Sequence, residues 1–159
     1  MSILDTLKQK FPDAILSAAQ DHGHDVVVVD RKKIFEVLQF LKNNSECPFE
    51  MLLDLCGVDY LGKDPRFEVV YHLYSLSKIK RLRLKVALPE SDLTIPSAVT
   101  LWEAVNWFER EAFDMFGIHF EGHPNLKRLL MWEEFEGYPL RKDYPIDKRQ
   151  AIPTLDDIV

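Results

Sequence analysis

The sequence predicts an α+β fold: a two-layer domain with helices on one face of a mixed sheet that contains an antiparallel meander, followed by an extended C-terminal arm. Three observations carry this. β-rich segments succeed one another between Met51 and Leu88 with only short turn-forming stretches between them. Amphipathic helical stripes stand before and after that block. Beyond Gly117 the periodicity gives way to Gly122-His123-Pro124, Gly137, Pro139, Pro145 and Pro153, which prevent a continuous helix. The core domain is placed at 1–130 and the arm at 131–159.

Taken in order, Ser2 with Asp5 three residues on reads as a capping box. Ile3, Leu4, Leu7 and Phe11 then repeat at helical spacing until Pro12 ends the pattern. Ala14 to Ala19 and Asp25 to Val29 are strands around the turn Asp21-His22-Gly23-His24, whose histidines are read as solvated and not as metal ligands. Asp30 caps a helix whose stripe Ile34, Phe35, Val37, Leu38, Leu41 ends near Asn43-Asn44 and covers a sheet. The meander follows as Met51 to Val58, Arg66 to Ser75 and Arg81 to Leu88. Alternation puts Phe67, Val69, Tyr71 and Leu73 on the core face and His72 on the other. Pro89 to Pro96 is a loop.

The long helix is expected to begin near Leu101 and stop at Gly117. On its wheel Leu101, Trp102, Val105, Phe108, Ala112, Phe113, Met115 and Phe116 form the apolar side. Glu103, Arg110 and Asp114 share the opposite face, where Arg110 and Asp114 are positioned to pair along the surface. Glu109 points between Trp102 and Phe116 into the apolar seam, so it needs a partner: Arg110, Arg128, a backbone amide or another chain.

With 159 residues, a 47% hydrophobic share and a 29% charged share, the chain suits one globular domain. A formal charge of -6 disfavours nucleic acid, and the basic cluster from Lys78 to Lys85 reads as a solvated strand edge. No run of some 18 apolar residues occurs, so no span of a membrane is expected and the protein should stay on the cytoplasmic side. Two cysteines, Cys47 and Cys56, are too few for an iron-sulfur cluster, which takes about four. Both are read as reduced, structural thiols.

Several chemistries are missing from the sequence. There is no GxGxxG after a strand, no GxxxxGK[ST] and no GxSxG. The cluster Glu109, Glu111, Asp114, His119, His123 invites an acid-base or metal reading. Glycine and proline around His119 and His123 argue against the helix that would align them, and a structural network is the favoured reading. Trp132, Phe135, Tyr138, Leu140 and Tyr144 are costly to leave in water, so the arm is expected to dock on another surface, that of a partner.

Specific residues also carry a resemblance. Glu109-Arg110-Glu111, Asp114-Met115-Phe116 with Gly117, His123, Lys127 and Leu129-Leu130 resemble the signature of the C subunit of the proton-pumping NADH-quinone oxidoreductase, respiratory complex I. Asp54-Leu55, Val58-Asp59-Tyr60, Arg66 to Leu73, Arg81-Leu82-Arg83, Asn106-Trp107 and Phe135-Glu136-Gly137 to Pro145 look like the same family, over residues 50 to 146. Glu103 and Glu133 depart from its usual pattern without disturbing the resemblance.

The resemblance implies a non-redox scaffold in the hydrophilic arm of the complex, peripheral on the cytoplasmic side of the inner membrane and touching the membrane only through the complex. No catalytic, cofactor-binding or metal-binding residue and no cofactor is implied for this chain. FMN, iron-sulfur clusters and quinone are implied for partner subunits. Those partners would be the D subunit, which helps form the quinone site, and neighbouring iron-sulfur subunits. Trp107, Phe135, Gly137, Pro139, Leu140, Arg141, Lys142, Asp143, Tyr144 and Pro145 would contact them. Two alternatives remain: the equivalent subunit of a membrane-bound hydrogenase or formate hydrogenlyase, and a free-standing hydrolase using Glu109 and His123.

Overall fold

A computed structural model describes residues 2–151; Pro153 and the end of the expected arm lie outside them. Helix α1 (Ile3–Lys10) starts at the Ser2–Asp5 capping box and ends at Phe11, before Pro12. Strands β1 (Ile15–Asp21) and β2 (His24–Val29) form a hairpin. His22 and Gly23 have φ of 49° and 79°, and two positive values in a two-residue loop suit the right-handed twist of the flanking strands. The Asp30 side chain caps a short 3-10 turn through the Lys32 amide at 2.7 Å, and α2 (Ile34–Asn43) follows.

β3 (Met51–Asp59), β4 (Phe67–Ser75) and β5 (Lys80–Leu88) make the antiparallel meander at nearly the expected boundaries. The five strands run β1-β2-β5-β4-β3, with β2 parallel to β5. The sheet is therefore mixed, and the parallel pair joins the β1–β2 hairpin to the meander. Phe67, Val69, Tyr71 and Leu73 are buried beneath the helices, while Glu68, His72 and Tyr74 lie half-buried on the open face. This is the two-layer α+β arrangement the alternation implied.

Two expectations change along the signature segment. The loop after Pro89 contains a short strand β6 (Thr94–Pro96), paired in parallel with β7 (His119–Glu121) just beyond α3 (Val105–Phe116). Leu101 and Trp102 belong to a turn before α3, not to the helix. Their amides both bond to the Ala98 carbonyl, and the Trp102 indole donates to the Glu50 carbonyl at 3.1 Å. They are buried all the same, so the apolar reading of these residues holds while their helical assignment does not.

α3 packs along β3, where Gly57 makes room for it: a Cβ there would lie 2.7 Å from the Phe116 ring. Its other anchor is Glu109, fully buried, whose carboxylate accepts from the Ser97 hydroxyl at 2.6 Å and the Ala98 amide at 2.7 Å. The seam position expected for Glu109 is observed, but neither Arg110 nor Arg128 is its partner. Burial pushes its pKa up to about 7, against the opposing pull of those two hydrogen bonds.

Removing this anchor has a definite cost. Glu109→Ala strands the Ser97 hydroxyl and the Ala98 amide and should lower stability by about 1–3 kcal/mol in urea denaturation. The folded pKa exceeds the ordinary 4.5, so the protonated form is the one folding favours. Its contribution is full below about pH 4.5 and declines as pH rises through about 7, by about 3 kcal/mol at most. Glu109→Gln, which does not ionise, should therefore gain on the wild type between pH 5 and pH 8. An unchanged difference across that interval would count against a buried titrating carboxyl.

Candidate functional site

The C-terminal end of α3 is where the signature residues converge with the arm. Gly117 closes the helix in the left-handed conformation (φ 77°), and its amide donates to the Phe113 carbonyl at 2.8 Å. A Cβ there would meet the Tyr138 ring at 2.5 Å, so the close packing of the arm requires glycine as much as the turn does.

Asp114 is the centre of this junction. One of its oxygens accepts three successive backbone amides, Leu129 at 2.9 Å, Leu130 at 2.7 Å and Met131 at 2.9 Å. The other accepts from Arg128 at 2.6 Å. The expected surface pair with Arg110 is absent: Asp114 is fully buried, because the chain folds back over this face of the helix. Burial alone would raise its pKa, but the Met131 amide, the Arg128 guanidinium and the Leu130 and Leu129 amides outweigh it and hold the carboxyl below its ordinary value.

The two arginines around it secure the backbone that leads into the arm. Arg128 also donates to the Phe135 carbonyl at 2.7 Å and the Gly137 carbonyl at 3.1 Å. Arg110 donates to the carbonyls of Lys127 at 3.1 Å and Arg128 at 3.0 Å, and its guanidinium lies over Trp107. His123 bridges α3 and this segment, accepting from the Asn125 amide at 3.0 Å and contacting the Asn106 carbonyl at 3.3 Å. Burial lowers its pKa, the Asn106 contact opposes that, and Arg110 adds to the lowering.

A second junction ties the arm to the sheet. Arg66, buried between β3 and the arm, binds Asp59 through two bonds of 2.8 Å. It also reaches Asp143 at 2.7 Å and Glu90 at 2.6 Å. Asp59 takes a further bond from the Lys142 amide at 2.8 Å. The Arg66 hydrogen bond is the first cause holding both aspartates below their ordinary pKa. Arg141 donates to the Phe116 carbonyl at 2.7 Å and lies over the rings of Phe67 and Tyr138, while the Leu140 amide bonds to the Met115 carbonyl. Nothing in the sequence links Arg66 to Asp143, 77 positions further on, since no local pattern announces such a contact.

The remaining candidates sort by exposure. Met115 is buried, Phe116 packs over Gly57, and Leu129 is half-buried. Glu111, Lys127, Leu130 and Trp107 are exposed. In the arm Phe135 is buried against Trp132 and Tyr144, Gly137 lies under the Tyr144 ring, and Pro139 is half-buried. Leu140, Lys142, Asp143 and Pro145 face outward. Glu109 and His123, the pair a hydrolase would need, are engaged by different partners and no bond joins them among the described residues.

What this geometry does is fix a surface. Arg110, Asp114 and His123 of the signature hold the segment that leads into the arm against α3, Arg66 and Asp59 tie the arm to the sheet, and Trp107, Leu130 and Leu140 are left at the exterior, each at least half exposed.

Comparison with known proteins shows the family. A family model described as "Respiratory-chain NADH dehydrogenase, 30 Kd subunit" matches residues 27–150. The C subunit of NADH-quinone oxidoreductase from Roseiflexus sp. (strain RS-1) is 47% identical over 155 residues, covering 98% of this chain and 89% of the relative. The protein of the same name from Citrifermentans bemidjiense is 48% identical over 147 residues, 92% of this chain and 90% of its own. A solved structure described as the trypsin-resistant fragment (1-134) of Nqo5 has a TM-score of 0.69 at 33% identity, over 79% of this chain and 100% of the fragment. A chain of the membrane-bound sulfane sulfur reductase, described as an archaeal respiratory membrane complex, has a TM-score of 0.76 at 26% identity, over 91% and 84% of the two chains. The match over most of the chain, the near-full-length relatives and the shared fold place the signature and its arm in one lineage: this chain belongs to the family of the 30 kDa subunit of respiratory-chain NADH dehydrogenase, which is that of the C subunit of NADH-quinone oxidoreductase.

Proposed function

We propose that the chain is a scaffold subunit of the hydrophilic arm of NADH-quinone oxidoreductase, which supports electron transfer from NADH to quinone in its partners and carries no redox centre itself. The observation that carries this is the use of the signature. Asp114, Arg110 and Arg128 bind backbone groups of the chain leading into the arm, an organisation suited to presenting a surface. No helix of the described residues is long and apolar enough to cross a membrane; the attachment belonging to this proposal is peripheral, through other subunits, on the cytoplasmic side.

The partner surface is formed by Trp107 with the outward residues of the arm, Leu140, Lys142, Asp143 and Pro145, and its occupant is the quinone-site (D) subunit, with iron-sulfur subunits alongside. Phe135, Gly137, Pro139, Arg141 and Tyr144 serve that surface from beneath by fixing its shape. An exposed tryptophan flanked by charge and backed by a rigid support is the composition of an interface anchor. The identity of 47–48% to NADH-quinone oxidoreductase relatives over more than nine-tenths of the chain supports this complex over the hydrogenase-type alternative.

Two outcomes test the proposal. Trp107→Asp combined with Leu140→Asp replaces exposed side chains and should leave the fold within about 0.5 kcal/mol of the wild type. The same variant should fail to co-purify with the quinone-site partner from native membranes; full assembly with unimpaired quinone reductase activity would overturn the assignment. Arg66→Ala leaves Asp59 buried with only the Lys142 amide and should cost about 3–5 kcal/mol. The aspartate junctions also set an acid limit. With folded pKa values below the ordinary 3.8, their stabilisation is complete above that pH and is lost as pH falls through the lower folded values, to be followed by the fluorescence of Trp132 as the arm comes away.

A further inference from the structure

The open face of the sheet carries a group of side chains that neither the arm nor the core uses. Asp54 and Cys56 stand two apart on β3 and so point the same way. His72 on β4 is the direct cross-strand partner of Asp54, and Cys56 lies diagonally from it. A carboxylate oxygen, the thiol sulfur and a ring nitrogen of the three lie within 4.8 Å of one another, all half-buried. Among the described residues none of these side chains makes a hydrogen bond or an ion pair.

We propose that Asp54, Cys56 and His72 form a binding site for a zinc-class divalent cation. Three donors converge from one face of two paired strands, which leaves a fourth position toward solvent, and thiolate, imidazole and carboxylate together suit a borderline metal of tetrahedral preference better than calcium or magnesium. A cavity of about 310 Å³ opens beside Asp54 and His72, large enough for a water or a partner's side chain at that fourth position.

The charges around the site are compatible with it. Burial, then Arg83, lower the His72 pKa, with Asp54 opposing and Arg81 adding, so the ring is neutral and has a free lone pair near pH 7. Burial and the charges of Asp54, Glu111 and Glu68 raise the Cys56 thiol, with Arg83 opposing. Binding therefore releases the thiol proton to solvent as the sulfur–metal bond forms. One thiolate and one carboxylate neutralise a divalent cation, so the filled site is neutral overall and sets no net positive charge against Arg83, which is paired with Asp21 at 3.8 Å. The metal would clasp β3, at the edge of the sheet, to β4 just past the irregular register between Leu52 and Asp54.

Cobalt(II) titration of the full chain tests this, because thiolate ligation gives a sulfur-to-metal charge-transfer band that carboxylate or imidazole ligation does not. The expected result is one equivalent bound with that band, displaced by zinc, and retained in Cys47→Ser. Cys56→Ser should abolish the band with the circular dichroism of the fold unchanged. Loss of even an outer partner of a metal ligand typically lowers affinity 10–100-fold, so His72→Gln, which keeps the thiol, should weaken cobalt binding at least about tenfold. A titration without the band, a band that follows Cys47, or one indifferent to His72→Gln would each overturn the site.

Discussion

The structure depends most on one carboxylate oxygen. Three consecutive amides, those of Leu129, Leu130 and Met131, converge on a single oxygen of Asp114. Consecutive N–H groups point to one locus only if the backbone curls around it, so the aspartate dictates the path of the chain as it leaves the domain. Arg128 neutralises the charge and its second amine group holds the Phe135 and Gly137 carbonyls. One buried acid thereby sets the conformation from residue 128 to residue 137. Removing the carboxylate would leave three amides without an acceptor and the Arg128 guanidinium without its countercharge, each at the cost of an unmade bond.

The sheet supplies the other half of the constraint. β3 contributes Asp59 at its end, the loop before β4 contributes Arg66, and the arm returns Asp143 and the Lys142 amide to the same point. Arg66 suits this place because its planar fork engages three carboxylates, those of Asp59, Asp143 and Glu90, while its face lies over the Phe67 ring. Between the Asp114 and Arg66 junctions the arm is held at both ends, with Phe135 packed between Trp132 and Tyr144. A protein–protein surface gains affinity when its shape is present before binding, and two charge-assisted junctions at either end of a short segment provide that.

Local pattern revealed much of this fold and little of its closure. The Ser2–Asp5 cap, the His22–Gly23 turn, the alternation in β4 and the Gly117 stop are all encoded within a few residues, and each is legible in the sequence. The parallel contact of β2 with β5 joins segments more than fifty residues apart and leaves no periodic trace. The wheel misplaces Asp114 for a related reason: it separates apolar from polar, and a buried carboxylate covered by a distant segment looks like a solvated one. Leu101 and Trp102 are buried as expected but not helical, since a turn that closes on the Ala98 carbonyl presents the same apolar pair. The partners of Glu109, a hydroxyl and an amide twelve and eleven residues earlier, are too ordinary to stand out in a sequence.

Glu109 and Asp114, five residues apart on one helix and both fully buried, show how differently the same chemistry is resolved. Asp114 has a cation and three amides, so its ionised form survives burial. Glu109 has one amide and one hydroxyl and no cation, with the buried Tyr71 hydroxyl left unpartnered and its own pKa raised, first by burial and then by the Glu109 charge. The difference lies in the donors around each carboxylate, in the cation that only Asp114 has, and in the deeper enclosure of Glu109. The end of α3 that meets the arm keeps its charge throughout the neutral range, whereas the seam that meets Ser97 changes charge near pH 7. The arm residues of the proposed partner surface rest on the locked end, so the shape they offer to a neighbouring subunit is insulated from the protonation change on the core side of the same helix.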